Sequence, residues 1–324
     1  MLHSNIFEIS STSEFESVAL DTFRYQYKNV GVYREFCDHL KRTSETVKTI
    51  KDIPFLPIEF FKSHKVISEE KPSEILFTSS GTTGSVLSKH YVASSKLYEQ
   101  SFLEGFKKTY GNPTNFTILA LLPSYLEREG SSLIYMVDHL IRSSKNEHSG
   151  FFLHNVEALI ETLHFLEKTG QKTMLIGVSY ALLDLIEKEQ FHLNHTLIME
   201  TGGMKGKRKE LIKEALHQKL KAGFGVNSIH SEYGMTELLS QAYSKGKGVF
   251  NCPPWMKIIT RDPEDALSLS GSSAGGINVI DLANLYSCSF IATQDLGKVY
   301  RDGSFEILGR FDTSDIRGCN LMVL

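Results

Sequence analysis

From residue 75 to residue 230 short apolar runs alternate with stretches of helical periodicity, and few folds accept such a pattern. The runs are Ile75–Thr78, Phe116–Leu122, Lys172–Gly177, Leu197–Thr201 and Val226–His230. Helical spacing fills 93–109, 131–143, 156–168, 180–189 and 207–221 between them. Strands separated by helices pair in parallel, because each crossover carries the chain back across a sheet face. The expectation is an α/β fold with a largely parallel, helix-covered sheet.

The flanks differ. Phe15, Val18, Ala19, Phe23 and Tyr27, then Val32, Phe36 and Leu40, follow the i, i+3, i+4 rhythm of one or two amphipathic helices. Pro54 and Pro57 sit among aromatics in Asp52–Ser63, which therefore reads as an ordered connector. After about residue 251 the pattern shortens to the β-like pieces Met256–Thr260, Gly276–Ile280, Ser289–Thr293, Lys298–Tyr300 and Ser304–Leu308. The expected division is 1–250, a helical N-terminus with the α/β core, and 251–324, a smaller β-rich subdomain.

Composition narrows the function. Lys+Arg 35 against Asp+Glu 38 leaves a net charge of -3, so no positive field holds a phosphate backbone and nucleic-acid binding is not expected. No apolar run approaches the roughly 18 residues of a membrane span. Met1–Ser13 lacks a basic region followed by an apolar one, which points to a cytoplasmic chain. Cys37, Cys252, Cys288 and Cys319 have no metal-ligand spacing.

Three short motifs carry chemistry. The first, Ser79-Ser80-Gly81-Thr82-Thr83-Gly84, follows an apolar run; its hydroxyls, glycines and successive N–H groups suit phosphate oxygens. It is neither a Walker loop nor a dinucleotide fingerprint. The second is Ser231-Glu232-Tyr233-Gly234-Met235-Thr236-Glu237, placed just after the Val226–His230 run. The third pairs Thr293-Gln294-Asp295-Leu296-Gly297 with Gly309-Arg310-Phe311-Asp312. Each also reads as ordinary structure: Tyr233 as a core aromatic, Glu237 as an acid at a helix N-terminus, Asp295-Leu296-Gly297 as a turn. Lys205, Lys207, Arg208 and Lys209 read as a solvated helical face, and His90 and His230 as structural or solvent-facing.

In order and spacing the motifs resemble the adenylate-forming superfamily of acyl- and aryl-CoA ligases, luciferases and peptide-synthetase adenylation domains, from Thr78 to Gly318. The Gly309–Asn320 segment is most similar to the acyl-protein synthetases of bacterial luminescence systems and their phenylacetate-CoA ligase relatives. The resemblance implies ATP/AMP and Mg²⁺ as cofactors. Ser79, Ser80, Gly81, Thr82, Thr83 and Gly84 would hold phosphates, and Tyr233 with Gly234 would receive the adenine. Thr236 would contact the α-phosphate, and Glu237 would bind Mg²⁺. Asp295 would accept from the ribose hydroxyls, with Arg310 on the ribose or phosphate side. Gly202 and Gly203 would line the passage between nucleotide and acyl group.

Family members continue past the Gly-Arg-x-Asp hinge into a mobile domain with a catalytic lysine, whereas this sequence runs 12 residues past Asp312. The expected fold is thus an adenylate-forming-enzyme-like N-terminal domain without that lysine domain, and Lys89 takes no role. Acyl-protein synthetases carry a reactive cysteine near the C-terminus, and Cys319 stands at that place, with Arg317 nearby to favour its thiolate. The implied reaction is activation of a carboxylic acid, a fatty acid by the resemblance, as an acyl-adenylate, then transfer to a protein thiol. The partners would be that acid and a reductase-like acyl-donor or acyl-acceptor protein. A CoA ligase of the phenylacetate type and a non-catalytic adenylate-binding or scaffold subunit are the alternatives.

Overall fold

The computed structural model describes residues 6–79, 86–123, 130–202, 211–263, 265, 267–270 and 272–311. The chain divides into two units, each discontinuous in sequence. One comprises Met1–Glu74, Ser88–Ala93 and Pro254–Leu324; the other comprises Ile75–Leu87 and Ser94–Pro253.

The second unit is built on six strands: β1 (Thr117–Leu121), β2 (Gly150–Phe151), β3 (Thr173–Val178), β4 (Thr196–Thr201), β5 (His230–Tyr233) and β6 (Ala242–Ser244). They lie in the order β2-β1-β3-β4-β5-β6, parallel except for β6. Every residue of β1 and β3 is buried, as expected for parallel strands covered on both faces. The helices Ser95–Tyr110, Ser132–Ser144, Val156–Thr169, Ser179–Lys188 and Lys213–Phe224 belong to the same unit. Leu159, Leu163 and Leu166 form the buried stripe of one of them. Local chemistry starts three helices: the side chains of Ser94, Ser131 and Asn155 accept the N–H groups of Leu97, Ile134 and Ala158.

The fifth expected strand moves. Val226–His230 is not the strand, because Val226 N–H still bonds the Lys221 carbonyl behind a left-handed Gly225. Pairing with β4 starts at Met199 opposite His230. Ser231, Glu232 and Tyr233 therefore lie on the strand itself instead of after it.

The first unit joins the helices Thr12–Asn29 and Gly31–His39 to an antiparallel sheet of β7 (Met256–Arg261), β8 (Ala274–Asp281), β9 (Phe290–Val299) and β10 (Phe305–Arg310). The connector contributes a short strand, Leu56–Pro57, parallel to β9 at Ile291 and Ala292, and a single turn of helix, Phe60–Ser63. Phe23, Tyr33, Phe55 and Phe290 meet at ring separations of 6.1 to 6.4 Å. Buried Gln26 ties helix to sheet by donating to the Asn284 and Leu285 carbonyls and the Ser289 hydroxyl.

One turn reading is overturned. Ser289–Thr293 and Lys298–Tyr300 are not separate pieces, and Asp295-Leu296-Gly297 lies within the ten-residue β9. Between the pairs Gly276–Leu296 and Asn278–Ala292, three β9 residues face one of β8, which is a bulge. Thr293 holds it: its hydroxyl donates to the Ile277 carbonyl and accepts the Asp295 N–H. Among the described residues no helix is long and apolar enough to cross a membrane.

Candidate active site

In open parallel sheets ligands bind beyond the carboxyl ends of the strands, and in the second unit those ends carry the second motif and Gly202. At the end of β3, Ser179 donates to the Gly202 carbonyl at 2.7 Å and to Glu200 at 3.3 Å. On the neighbouring strands Thr201 Oγ1 donates to Glu232 Oε2 at 2.6 Å. That bond clamps the residue before Gly202 to the residue before Tyr233. The other Glu232 oxygen lies against Gly234, where any Cβ would collide with it. A side chain at Gly234 would have to displace that carboxylate.

Beneath the clamp is a second carboxylate. Glu200 Oε1 meets Lys213 Nζ at 3.2 Å and His217 Nε2 at 3.5 Å, and Ser231 Oγ lies 3.4 Å from the same imidazole nitrogen. Burial opposes its ionisation, but the His217 hydrogen bond, the Lys213 charge and Ser231 hold its pKa down to about 2. Glu232, one strand away, is pushed the other way. Burial and the Glu200 charge raise it to about 7 against the lowering effect of the Thr201 hydrogen bond. Two carboxylates on adjacent strands thus keep different charge states near neutral pH. His230 is lowered to about 4 by burial and by Lys245, and its Nδ1 lies 3.2 Å from the Tyr110 hydroxyl.

Tyr233 is 9% exposed, with its ring 5.9 Å from Phe250. The turn that follows closes from Leu238 N–H to the Met235 carbonyl; Thr236 is half-buried and Glu237 buried. Ser79 is half-buried at the end of the strand Ile75–Thr78, whose Thr78 N–H bonds Gly130. Ser80, Gly81, Thr82, Thr83, Gly84, Gly203, the 205–209 basic cluster, Asp312 and Cys319 lie outside the described residues.

In the first unit, Asp295 and Arg310 are register partners on β9 and β10, with Arg310 Nε 3.4 Å from Asp295 Oδ1. The Asp295 side chain is 11% exposed and that of Arg310 72%. The structure brings these two residues together, and in the second unit it brings Gly202 beside the strand that carries Tyr233 and leads into Gly234.

The donor set bears on Mg²⁺. Among the described residues no group of three or more His, Cys, Asp and Glu side chains could cage a metal. A single carboxylate such as Glu237 fits a hard cation that keeps phosphate oxygens and waters as its other ligands. Sequence reasoning missed Glu200, Thr201 and His217, whose contacts join neighbouring strands and, for His217, the helix Lys213–Phe224 to a strand. His90 is structural, as expected: it is buried and bonded to Asn284. Cys37 and Cys288 are buried, and burial pushes Cys37 up to about 12, so neither offers a thiolate.

The fold is that of the N-terminal domains of adenylate-forming enzymes. Among solved structures, 2-hydroxyisobutyryl-CoA ligase in complex with 2-HIB-AMP and CoA superposes with a TM-score of 0.64 at 11% identity, over 96% of this chain and 78% of that one. ATP-bound MatB from Rhodopseudomonas palustris gives 0.54 at 19% identity over 72% of this chain. The match spans about half of MatB, 47% of its length.

More particularly, residues 1–128 match the family model "Acyl-protein synthetase, LuxE". The chain is similar to the long-chain-fatty-acid–luciferin-component ligase of Vibrio harveyi, 25% identical over 92% of this chain and 84% of the relative. It is also similar to the protein of that name from Photorhabdus luminescens, 39% identical over 70 residues, which cover 21% of this chain and 60% of the relative.

Proposed function

We propose that the chain is an acyl-protein synthetase that activates a fatty acid with ATP and passes the acyl group to a protein thiol. The observation that carries this reading is the second motif at the carboxyl end of β5, clamped to the strand leading into Gly202, in a fold of this class. In the first step a carboxylate oxygen attacks the α-phosphorus and pyrophosphate leaves. In the second a thiolate attacks the acyl carbonyl and AMP leaves. Neither step requires a covalent bond to Thr236 or Glu237, so their work is positioning and charge neutralisation.

On this reading Ser79 to Gly84 hold the phosphates, Tyr233 and Gly234 receive the adenine, and Thr236 donates to the α-phosphate. Glu237 would hold Mg²⁺, which neutralises phosphate charge. Asp295 accepts from the ribose hydroxyls, an acceptor-only role that suits a carboxylate, and Arg310 lies on the same side. Gly202 and Gly203 line the acyl path, Cys319 takes the acyl group, and a reductase-like protein is its partner. The reaction suits a cytoplasmic protein. Incubation with MgATP and a panel of carboxylic acids should release pyrophosphate with long-chain acids, and hydroxylamine-sensitive label should collect on protein. Absence of pyrophosphate with every acid refutes the reading; pyrophosphate with label on added CoA alone moves the acceptor.

A further inference from the structure

Arg261, the last residue of β7, is 6% exposed, yet among the described residues its guanidinium makes one hydrogen bond, from Nη2 to the Thr293 carbonyl at 2.7 Å. Its Nε and Nη1 are buried and have no hydrogen-bond partner among the described residues. Burial lowers its pKa, while the charges of Glu59 and Asp295 oppose that effect. Such a residue is a poor device for stability. A buried cation with unmade hydrogen bonds costs more than an apolar side chain of the same length.

The surroundings are nonetheless shaped for it. Gly276 is its register partner, and a Cβ there would overlap the guanidinium; a Cβ at Gly275 would strike the Arg261 carbonyl. Gly276 thus leaves a slot across β8 that lets the side chain reach β9, while Gly275 makes room for the Arg261 backbone. Its far side faces the Phe311 ring, 5.3 Å from the guanidinium carbon. What it reaches is the bulge. Thr293, whose carbonyl it binds, caps the Asp295 N–H through its hydroxyl. The intervening Gln294 donates to Glu59 and accepts the Phe311 N–H. Arg261 therefore touches both segments of the third motif: the bulge that projects Asp295, and the strand end that carries Arg310 and Phe311.

We propose that Arg261 is a positioning residue for Asp295, holding the β9 bulge and the Arg310-Phe311 strand end so that the carboxylate meets a nucleotide ribose. The ribose part rests on the function proposed above; the action on the bulge does not. Arg261 acts through Thr293 and Phe311 and is not itself placed on substrate. A Cβ-bearing residue at Gly276 should reproduce its loss, because it closes the slot.

The test compares the parent with Arg261→Met, which keeps length and apolar packing, and with Asp295→Ala and the double variant. Hydrogen exchange in the ligand-free proteins reads the bulge directly. Arg261→Met should speed exchange of the 293–296 amides about tenfold or more, with the thermal midpoint unchanged or higher. Calorimetry with AMP and 2′-deoxyAMP reads the ribose. The parent should prefer AMP about tenfold, Arg261→Met should lose that preference while Asp295 is still present, and the double variant should be no worse than Asp295→Ala. Unchanged 293–296 exchange in Arg261→Met overturns the proposal whatever the nucleotides do, and so does a midpoint that collapses with exchange rising throughout the unit. If exchange rises locally but the parent does not distinguish the two nucleotides, the assignment of Asp295 to a ribose fails and the hold of Arg261 on the bulge stands.

Discussion

Replacing Glu232 by Gln should make the protein more stable at pH 8 than at pH 5 relative to the parent. The carboxyl is raised from 4.5 to about 7, chiefly by burial and by Glu200 on the next strand. A raised carboxyl favours the folded state while protonated, so its contribution is complete below pH 4.5 and is lost as pH climbs to about 7. The span is roughly 2.5 pH units at about 1.4 kcal/mol each, an upper bound of about 3.5 kcal/mol. The carboxyl is not fully enclosed, and screening by water brings the expected gain to about 1–3 kcal/mol. Glutamine stays neutral, and its amide oxygen accepts from Thr201 as the carboxylate does. Glu200, held near 2, stays ionised in the folded state across the window, and its contribution is common to both proteins and drops out of the difference. His230, lowered from 6.5 to about 4, adds stability as pH rises through that range, but it does so in both proteins and drops out of the difference. Urea unfolding followed by far-UV circular dichroism at pH 5, 6, 7 and 8 reads the effect. Parallel stability curves for parent and variant across this range would show that Glu232 titrates as an ordinary surface acid, and the reasoning would fall.

Asp295→Ala should weaken AMP binding by about 1–3 kcal/mol in calorimetry with the fold retained, while Glu237→Gln should reduce Mg²⁺-dependent pyrophosphate release more than AMP affinity; equal effects on both readouts would contradict the separate roles. Leu175→Ala, at a wholly buried position in β3 between β1 and β4, should cost about 2–5 kcal/mol in urea unfolding, and a loss below about 1 kcal/mol would deny that this strand is central. Cys319→Ser should abolish a hydroxylamine-sensitive acyl adduct detected by intact-mass spectrometry, whereas an adduct that persists in the variant places the acyl group elsewhere.

Most elements were legible because their signals are local. The buried stripe of Val156–Thr169, the serine and asparagine caps and the apolar runs of β1, β3 and β4 depend on residues within a turn or two of each other. The motifs were legible for the same reason, since each is a short contiguous stretch. The errors fell where distant residues decide the outcome. Val226 has a strand former's side chain, but Gly225 draws its N–H back to Lys221, and β4 sets where β5 begins. Asp295-Leu296-Gly297 has the composition of a turn, yet β8 and β10 pair on either side of it and keep it in a strand.

Side-chain chemistry divides along the same line. The sequence alone determined which residues could carry charge, which helices could form, and that a glycine-rich hydroxyl loop and two acidic motifs occur in one order. Tertiary structure alone decided what those residues became. Glu200 and Glu232 are the same amino acid on adjacent strands, and one is driven down by Lys213 and His217 while the other is driven up by burial and by the first. Arg261 carries no motif, and its reach to the Asp295 bulge exists only because Gly276 of the neighbouring strand leaves a slot across the sheet. Propensity and periodicity act over a few residues, whereas a pKa and a register depend on which strands lie side by side, and that is set by packing across the whole unit.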